Sequence, residues 1–536
     1  MNNQPVIKPT SEVGTLIRFI LRRDRIRIPI WIIAIAGSVI LTAVSLPGVY
    51  ENAAQRQARA ELMANPATKA FAGPGIGLDD YTFGAMMTQE MMAFAAVTIA
   101  LMSILLVVRH TRSDEAEGRT ELVNAYAGNR HSTLKATIFV VSAVNIILGV
   151  VIAIGLGSLG IESITWASSW LYGAALAATG LVFTAIAALS AQLTQHSRGA
   201  SGLAGLAIGV AYMLRALGDI SGNFLSWLSP FGWAQFTKAY VDDTWWPLLI
   251  SLAATALCLA AAVAIARNRD IGAGLLQAKA GRRRASALLR SPLTLALRLQ
   301  RTSLIAWSVS LFIFGLVYGT LASDIEGFVA ELEAFMPIGT ETNILEYFLG
   351  MIVSVFAIMA MVFVIISISR MKSEEQAGRA EIILSTPVSR IRWVLSYVAV
   401  AFGGSIVVLL SATLGMALSA AIALSDTSMI TRLIGAAFVY VPVLWLTVGL
   451  AVALFGLSSR AVNFTWLILA HVTITWMFGL FLKFPAWFTQ LSPLEHIPAV
   501  PAEALQLAPL IAITFAGFAA FIFGMIRIRQ RDITTS

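Results

Sequence analysis

Two stretches of this chain carry charged residues in one repeated order. SDEAEGRTELVNAYAGNR begins at Ser113 and SEEQAGRAEIILSTPVSR at Ser373, and both fit E-x-x-G-R-x-E followed by two aliphatic residues and a later arginine. Glu115 matches Glu375, Gly118 matches Gly378, Arg119 matches Arg379, Glu121 matches Glu381 and Arg130 matches Arg390, all at one constant offset. Their chemistry is polar. Glu115 and Arg119 stand one helical turn apart, close enough for an internal ion pair, while Leu122, Val123 and Tyr126 face elsewhere on a short amphipathic helix. Each copy is too charged to enter lipid and lies between two long apolar runs, so the pair predicts two matching polar helices on one side of a membrane.

No other grouping offers catalysis. The chain holds no G-x-x-x-x-G-K-[ST] phosphate loop, so it is not expected to hydrolyse ATP, and no enzymatic activity is predicted. The five histidines, His110, His131, His196, His471 and His496, are scattered without metal-ligand spacing, and no metal is expected. Cys258 is the only cysteine and sits in an apolar run, which excludes an intramolecular disulfide. His471 falls within an apolar run, where an ionisable group is a candidate substrate contact or a hydrogen bond to a neighbouring helix. Glu90, among Met86, Met87, Met91 and Met92, could line a pliable apolar cavity, although helix packing explains the methionines equally. Arg215 and Asp219, one turn apart, suit an interfacial ion pair.

The elements that must carry these residues follow from composition. Of 536 residues, 58% are hydrophobic and 12% charged, and the mean hydropathy is +0.79, whereas soluble domains carry about 25% charged residues. The fold class is therefore an all-α polytopic membrane protein. Apolar runs near 28-49, 85-108, 136-158, 166-190, 200-217 and 247-266, then near 303-322, 346-368, 394-424, 433-456, 464-482 and 508-526, predict about twelve transmembrane helices, six plus six. Further matches support two parallel six-helix pseudo-repeats: WLSPFGW at 227-233 with QLSPLEH at 490-496, Arg198 with Arg460, RNRDI at 267-271 with RQRDI at 529-533, and Arg22, Arg25 and Trp31 with Arg298, Arg301 and Trp307.

The expected organisation is a cytoplasmic amphipathic helix over 1-27, a first half over 28-270, a basic cytoplasmic linker with an amphipathic helix over 271-301, a second half over 302-527 and a cytoplasmic tail over 528-536. Most of the 37 Lys and Arg then fall on one side, together with both motifs, which is the cytoplasmic side by the positive-inside rule. Both termini are thus expected inside a bacterial-type plasma membrane. The net charge of +8 is accounted for by anionic lipid rather than nucleic acid. Residues 51 to 84 read as a helix followed by a glycine-rich loop, and 219-246 and 483-507, rich in Pro and Trp, as broken or re-entrant helices.

The six-plus-six layout, an amphipathic helix before each half, the E-x-x-G-R-x-E loops, the Ser-Pro segments before each sixth span and R-x-R-D-I after it resemble the permease subunits of ABC-2-type exporters. More narrowly, the chain is similar to fused, double-length polyketide-antibiotic or tetronasin-type multidrug exporters. The resemblance implies a subunit that docks two ABC ATPase subunits, expected to be a homodimer, and exports hydrophobic or amphipathic compounds such as antibiotics. ATP and Mg would bind those partners, and no cofactor this chain. The ATPase-coupling role passes by motif to Glu115, Gly118, Arg119, Glu121, Glu375, Gly378, Arg379 and Glu381. Spans 1, 2 and 5 with 7, 8 and 11 are expected to line the pathway, with Met87, Glu90, Met91 and His471 as candidate contacts.

The competing reading is a proton-coupled twelve-helix secondary drug transporter, which also has two parallel halves and a Gly-Arg motif between spans 2 and 3. The missing Arg between acid and Gly, the long 51-84 connection and the paired broken segments speak against it. A membrane enzyme acting on lipids lacks any cluster of acids, histidines or nucleophiles at one depth.

Overall fold

The computed structural model describes residues 12–64, 66–116, 132–268, 289, 291–324, 344–482, 484–498, 500, 502–503 and 505–531. Among these the secondary structure is helical, with no strand. The chain divides into two compact units, Met1–Gly281 and Arg282–Ser536.

The first unit opens with the amphipathic helix Glu12–Arg23. Six long helices follow: span 1 (Arg27–Val49), span 2 (Phe83–Ala116), span 3 (Ser132–Gly157), span 4 (Trp166–Leu193), span 5 (Ser197–Ser221) and span 6 (Pro247–Arg267). The second unit contains span 7 (Pro292–Thr320), span 8 (Leu345–Gln376), span 9 (Arg390–Ala423), span 10 (Ser428–Leu457), span 11 (Thr465–Leu482) and span 12 (Leu507–Gln530). Among the described residues, eleven helices are long and apolar enough to cross a membrane, and span 11 is a shorter apolar helix in the remaining place.

Side-chain placement shows what surrounds these helices. Ile33, Leu41, Leu257 and Ile422 are at least two-thirds exposed, an arrangement stable only where lipid replaces water. In both units the second span is deeply buried and the first and sixth are not. The apolar windows of spans 2 and 4 are 67% and 72% buried and that of span 8 is 67%, against 22% for span 1, 17% for span 7 and 22% for span 12. Within each unit the first span packs on the third and the fourth on the sixth. Apolar burial discriminates little between helix and lipid, so close backbone approach decides these crossings. At span 10 on span 12, Gly449 and Gly456 meet Gly517 and Gly524; a Cβ at Gly449, Gly456 or Gly524 would strike backbone of the facing helix, and one at Gly517 the Trp445 ring. Both pairs are seven residues apart, the period of a left-handed helix seam.

The units differ where helices begin. In the first, a turn at Asp24–Ile26 separates the amphipathic helix from span 1; in the second, span 7 runs unbroken from Pro292, with Ser291 accepting from the Thr294 backbone N–H at 3.3 Å. Most of the predicted 271-301 linker, like the first motif beyond Ala116, lies outside the described residues. Span 10 is two helices, Ser428–Val439 and Val441–Leu457, with Pro442 in the first turn of the second, where its missing N–H costs nothing. At the end of the first unit away from the motif, 51-84 folds as Ala53–Met63, Pro66–Phe71 and a turn in which Gly73, Gly75 and Gly77 have positive φ. The 219-246 and 483-507 segments form short helices, Phe224–Leu228 and Pro230–Gln235 in one, Ala486–Gln490 and Pro493–His496 in the other.

Candidate functional site

The second motif begins inside span 8 and ends outside it. The span's helix stops at Gln376, Gly378 takes a left-handed conformation (φ +68°), and a new short helix runs Arg379–Leu384. Nothing lies within 4 Å of a Cβ placed at Gly378, so glycine serves the backbone there, not packing. This reversal breaks the register assumed for a single motif helix. Arg379 pairs with Glu374, at 2.7 and 3.0 Å, instead of Glu375. That forked hydrogen bond raises the Arg379 pKa. Glu381 and Ile382 stand on the open side of the short helix, Ile382 at 70% exposure, while Ala380 is buried beneath it.

Glu375 turns inward. Its Oε2 accepts from Arg531 Nη2 at 2.6 Å, and the same guanidinium donates to the Phe455 carbonyl at 2.9 Å and lies over the Phe455 ring at 4.7 Å. Arg390 in turn donates to the Arg531 carbonyl at 2.7 Å. A motif glutamate, the matched later arginine and the R-x-R-D-I segment thus meet at one point.

Of the candidate coupling residues in the first motif only Glu115 is described; Gly118, Arg119 and Glu121 lie outside the described residues. Span 2 approaches it through a π-helical turn, Arg109–Ser113, followed by Asp114–Ala116. The wider turn changes the helical phase, so His110, Thr111, Arg112 and Asp114 all face inward. Arg112 donates to Glu115 at 3.0 Å and to the Ala191 carbonyl near the end of span 4. Arg23 binds both oxygens of Asp114, at 2.8 and 2.6 Å. Asp24, fully buried, has His110 Nε2 at 2.6 Å and Arg109 at 3.3 Å. These contacts fix the amphipathic helix to the end of span 2. Where the arginine match places Asp24, the second half has Gln300, which accepts from Ser367 at 2.5 Å: the same link without charge.

The candidate pathway residues are engaged within their own units. Met87 is enclosed in the apolar core of the first. Glu90 accepts from Arg59 at 2.9 Å and from the Tyr81 hydroxyl at 2.8 Å; burial, with that carboxylate alongside, pushes the Tyr81 phenol well up, so it remains a donor. Met91 is half-buried, its Sδ 4.0 Å from the Thr42 hydroxyl. His471 Nε2 lies 2.9 Å from the Phe488 carbonyl, with the two rings edge to face. Arg215 and Asp219 do pair, at 3.2 Å, and Arg215 also donates to the Ala70 and Phe71 carbonyls of the 51-84 connection. Gln89 accepts from the Gly75 and Ile76 amides and donates to the Gly73 carbonyl. Sequence reasoning missed Asp24, Arg112, Gln89 and the role of Arg531; for Arg531 the repeated R-x-R-D-I was a signal, whereas Gln89 offered none.

Long apolar helices in two sets, with a polar motif at the end of the second span of the second set, make this a polytopic membrane protein. Residues 14–267 and 289–529 match the family described as multidrug efflux system permease Rv1217c, C-terminal domain. The chain is also 34% identical over 531 residues, 98% of its length and 95% of the relative's, to the multidrug efflux system permease protein Rv1217c of Mycobacterium tuberculosis. It belongs to this family of multidrug efflux permeases, within the ABC-2-type exporters.

Proposed function

We propose that this chain is the membrane subunit of an ATP-driven exporter of hydrophobic and amphipathic compounds. Its motif helices are the surfaces on which two separate ABC ATPase subunits, a homodimer, dock, and ATP with Mg is held by those partners. Closure of the ATPase pair draws the two helices together and switches the permease from inward to outward opening. The observation that carries this reading is the second motif: its residues divide between an inner set locked to the spans and an outer pair, Glu381 and Ile382, left open. An exposed isoleucine beside Glu381 and one turn from Arg379 suits a protein groove better than a solvated loop. Both termini and both motifs then lie on the cytoplasmic face of the plasma membrane. Of the side chains proposed for the route, Glu90 and His471 would exchange partners to meet a compound, and Met91 needs no exchange.

The test is capture of a co-expressed stand-alone phosphate-loop ATPase by the purified permease. Ile382→Asp and Glu381→Arg, both at exposed positions where folding changes by about 0.5 kcal/mol or less, are expected to weaken capture on the order of tenfold or more. Undiminished capture by both variants would overturn the docking site.

A further inference from the structure

Two arginines that the docking reading does not use occupy equivalent mechanical positions. In the second unit Arg531 joins the motif residue Glu375 to the Phe455 carbonyl, near the end of span 10. In the first, Arg112 joins the motif residue Glu115 to the Ala191 carbonyl, near the end of span 4. The arginines come from different elements, the end of span 12 and the end of span 2, yet each guanidinium bridges the same two points: the first glutamate of the motif and the tail of the fourth span of its unit. Both glutamate side chains are largely enclosed, Glu375 at 2% and Glu115 at 11% exposure.

We infer that these are positioning residues: a guanidinium joint transmits displacement of the motif helix to the end of the fourth span. The inference rests on the docking reading above. A planar guanidinium holding a carboxylate on one edge and a carbonyl on the other fixes direction as well as distance, which a flexible ammonium does not. In the second unit the joint holds more. Arg390, at the start of span 9, donates to the Arg531 carbonyl, and the Phe455 ring lies under the guanidinium. Glu375 Oε1 has no protein partner among the described residues, so Arg531 is the charge that neutralises it. Spans 8 and 10 therefore meet at the Arg531 guanidinium and span 9 at its carbonyl, all on one residue at the end of span 12. Pulling on the short helix Arg379–Leu384 loads span 10 directly, and span 10 carries span 12 through the Gly449 and Gly456 seam.

The experiment uses the full-length permease co-expressed with its ATPase and reconstituted in liposomes, with ethidium and rhodamine 6G as transported probes. Arg531→Lys, which keeps the charge and loses the fork, and Glu375→Arg are compared with the swap Glu375→Arg/Arg531→Glu. Arg531→Lys is expected to retain ATPase capture and a monodisperse elution profile while the dye-stimulated fraction of ATP hydrolysis, and dye transport, fall about tenfold. The swap is expected to recover part of what Glu375→Arg loses. Dye-stimulated hydrolysis and transport at the wild-type level in Arg531→Lys would overturn the joint, as would loss of capture in parallel with transport. Failure of the wild-type permease to capture any ATPase would instead remove the docking reading.

Discussion

Glu374 and Glu375 are adjacent in the chain and hold different arginines. Glu374 restrains Arg379, one residue past the glycine turn, while Glu375 is held by Arg531 from the far end of the unit. Repetition in the sequence was enough to find the motif, but it assumed a continuous helix in which Glu375 and Arg379 share a face. Gly378 breaks that phase, and a left-handed residue inside a charged segment is hard to tell from a helical one by spacing alone. The break makes a prediction at this scale. A left-handed conformation costs a residue with a Cβ about 1–2 kcal/mol, and β-branching adds to it, whereas asparagine tolerates it. Gly378→Val is therefore expected to lower ATPase capture more than Gly378→Asn, measured by co-purification yield, because the short helix would leave its position; equal yields would contradict the role of the turn.

The elements were the most legible part. Length and continuity of apolar runs located all twelve helical positions, because a bilayer leaves the backbone few alternatives. Their contacts were less visible. The seam of Gly449, Gly456, Gly517 and Gly524 involves residues far apart in sequence, and only their seven-residue spacing hinted at it. Gly524→Leu is expected to destabilise the permease by about 3 kcal/mol, at the upper end for overpacking, since the obstacle is the Val452 backbone. A fall in the thermal transition of the detergent-solubilised protein checks this; no change would mean that spans 10 and 12 do not cross there. The connection at 51-84 was legible as helix and loop but not as a cap anchored to span 5. Arg215 is fully buried and holds Asp219 and two carbonyls of that connection. Arg215→Met strands a buried carboxylate and is expected to cost about 3–5 kcal/mol, whereas the double variant Arg215→Met/Asp219→Leu should cost less. A double variant as unstable as the single would show that the carbonyls, not Asp219, dominate.

Across the whole molecule, duplication explains the matched motifs, the equal burial of the second spans and the matched pairings of first with third and fourth with sixth spans. It does not extend to the chemistry of every joint. Asp24 with His110 becomes Gln300 with Ser367, and Arg112 gives way to Arg531, so similar tasks are met by different residues once each half evolves around its own loops. Such substitutions leave hydropathy almost unchanged and are therefore invisible to periodicity. The consequence for function is that the halves need not respond equally to one ATPase pair, and charge reversal at Glu115 and at Glu375 should impair export to different extents, read as dye efflux from cells expressing each variant.

The central claim is that this permease is moved by ATP hydrolysed elsewhere. Its most direct test is dye accumulation in inverted membrane vesicles containing the permease and its co-expressed ATPase. Accumulation that requires ATP, persists with a protonophore present and disappears when the ATPase phosphate-loop lysine is substituted is the predicted result. Accumulation driven by a pH gradient in vesicles without ATP would contradict it.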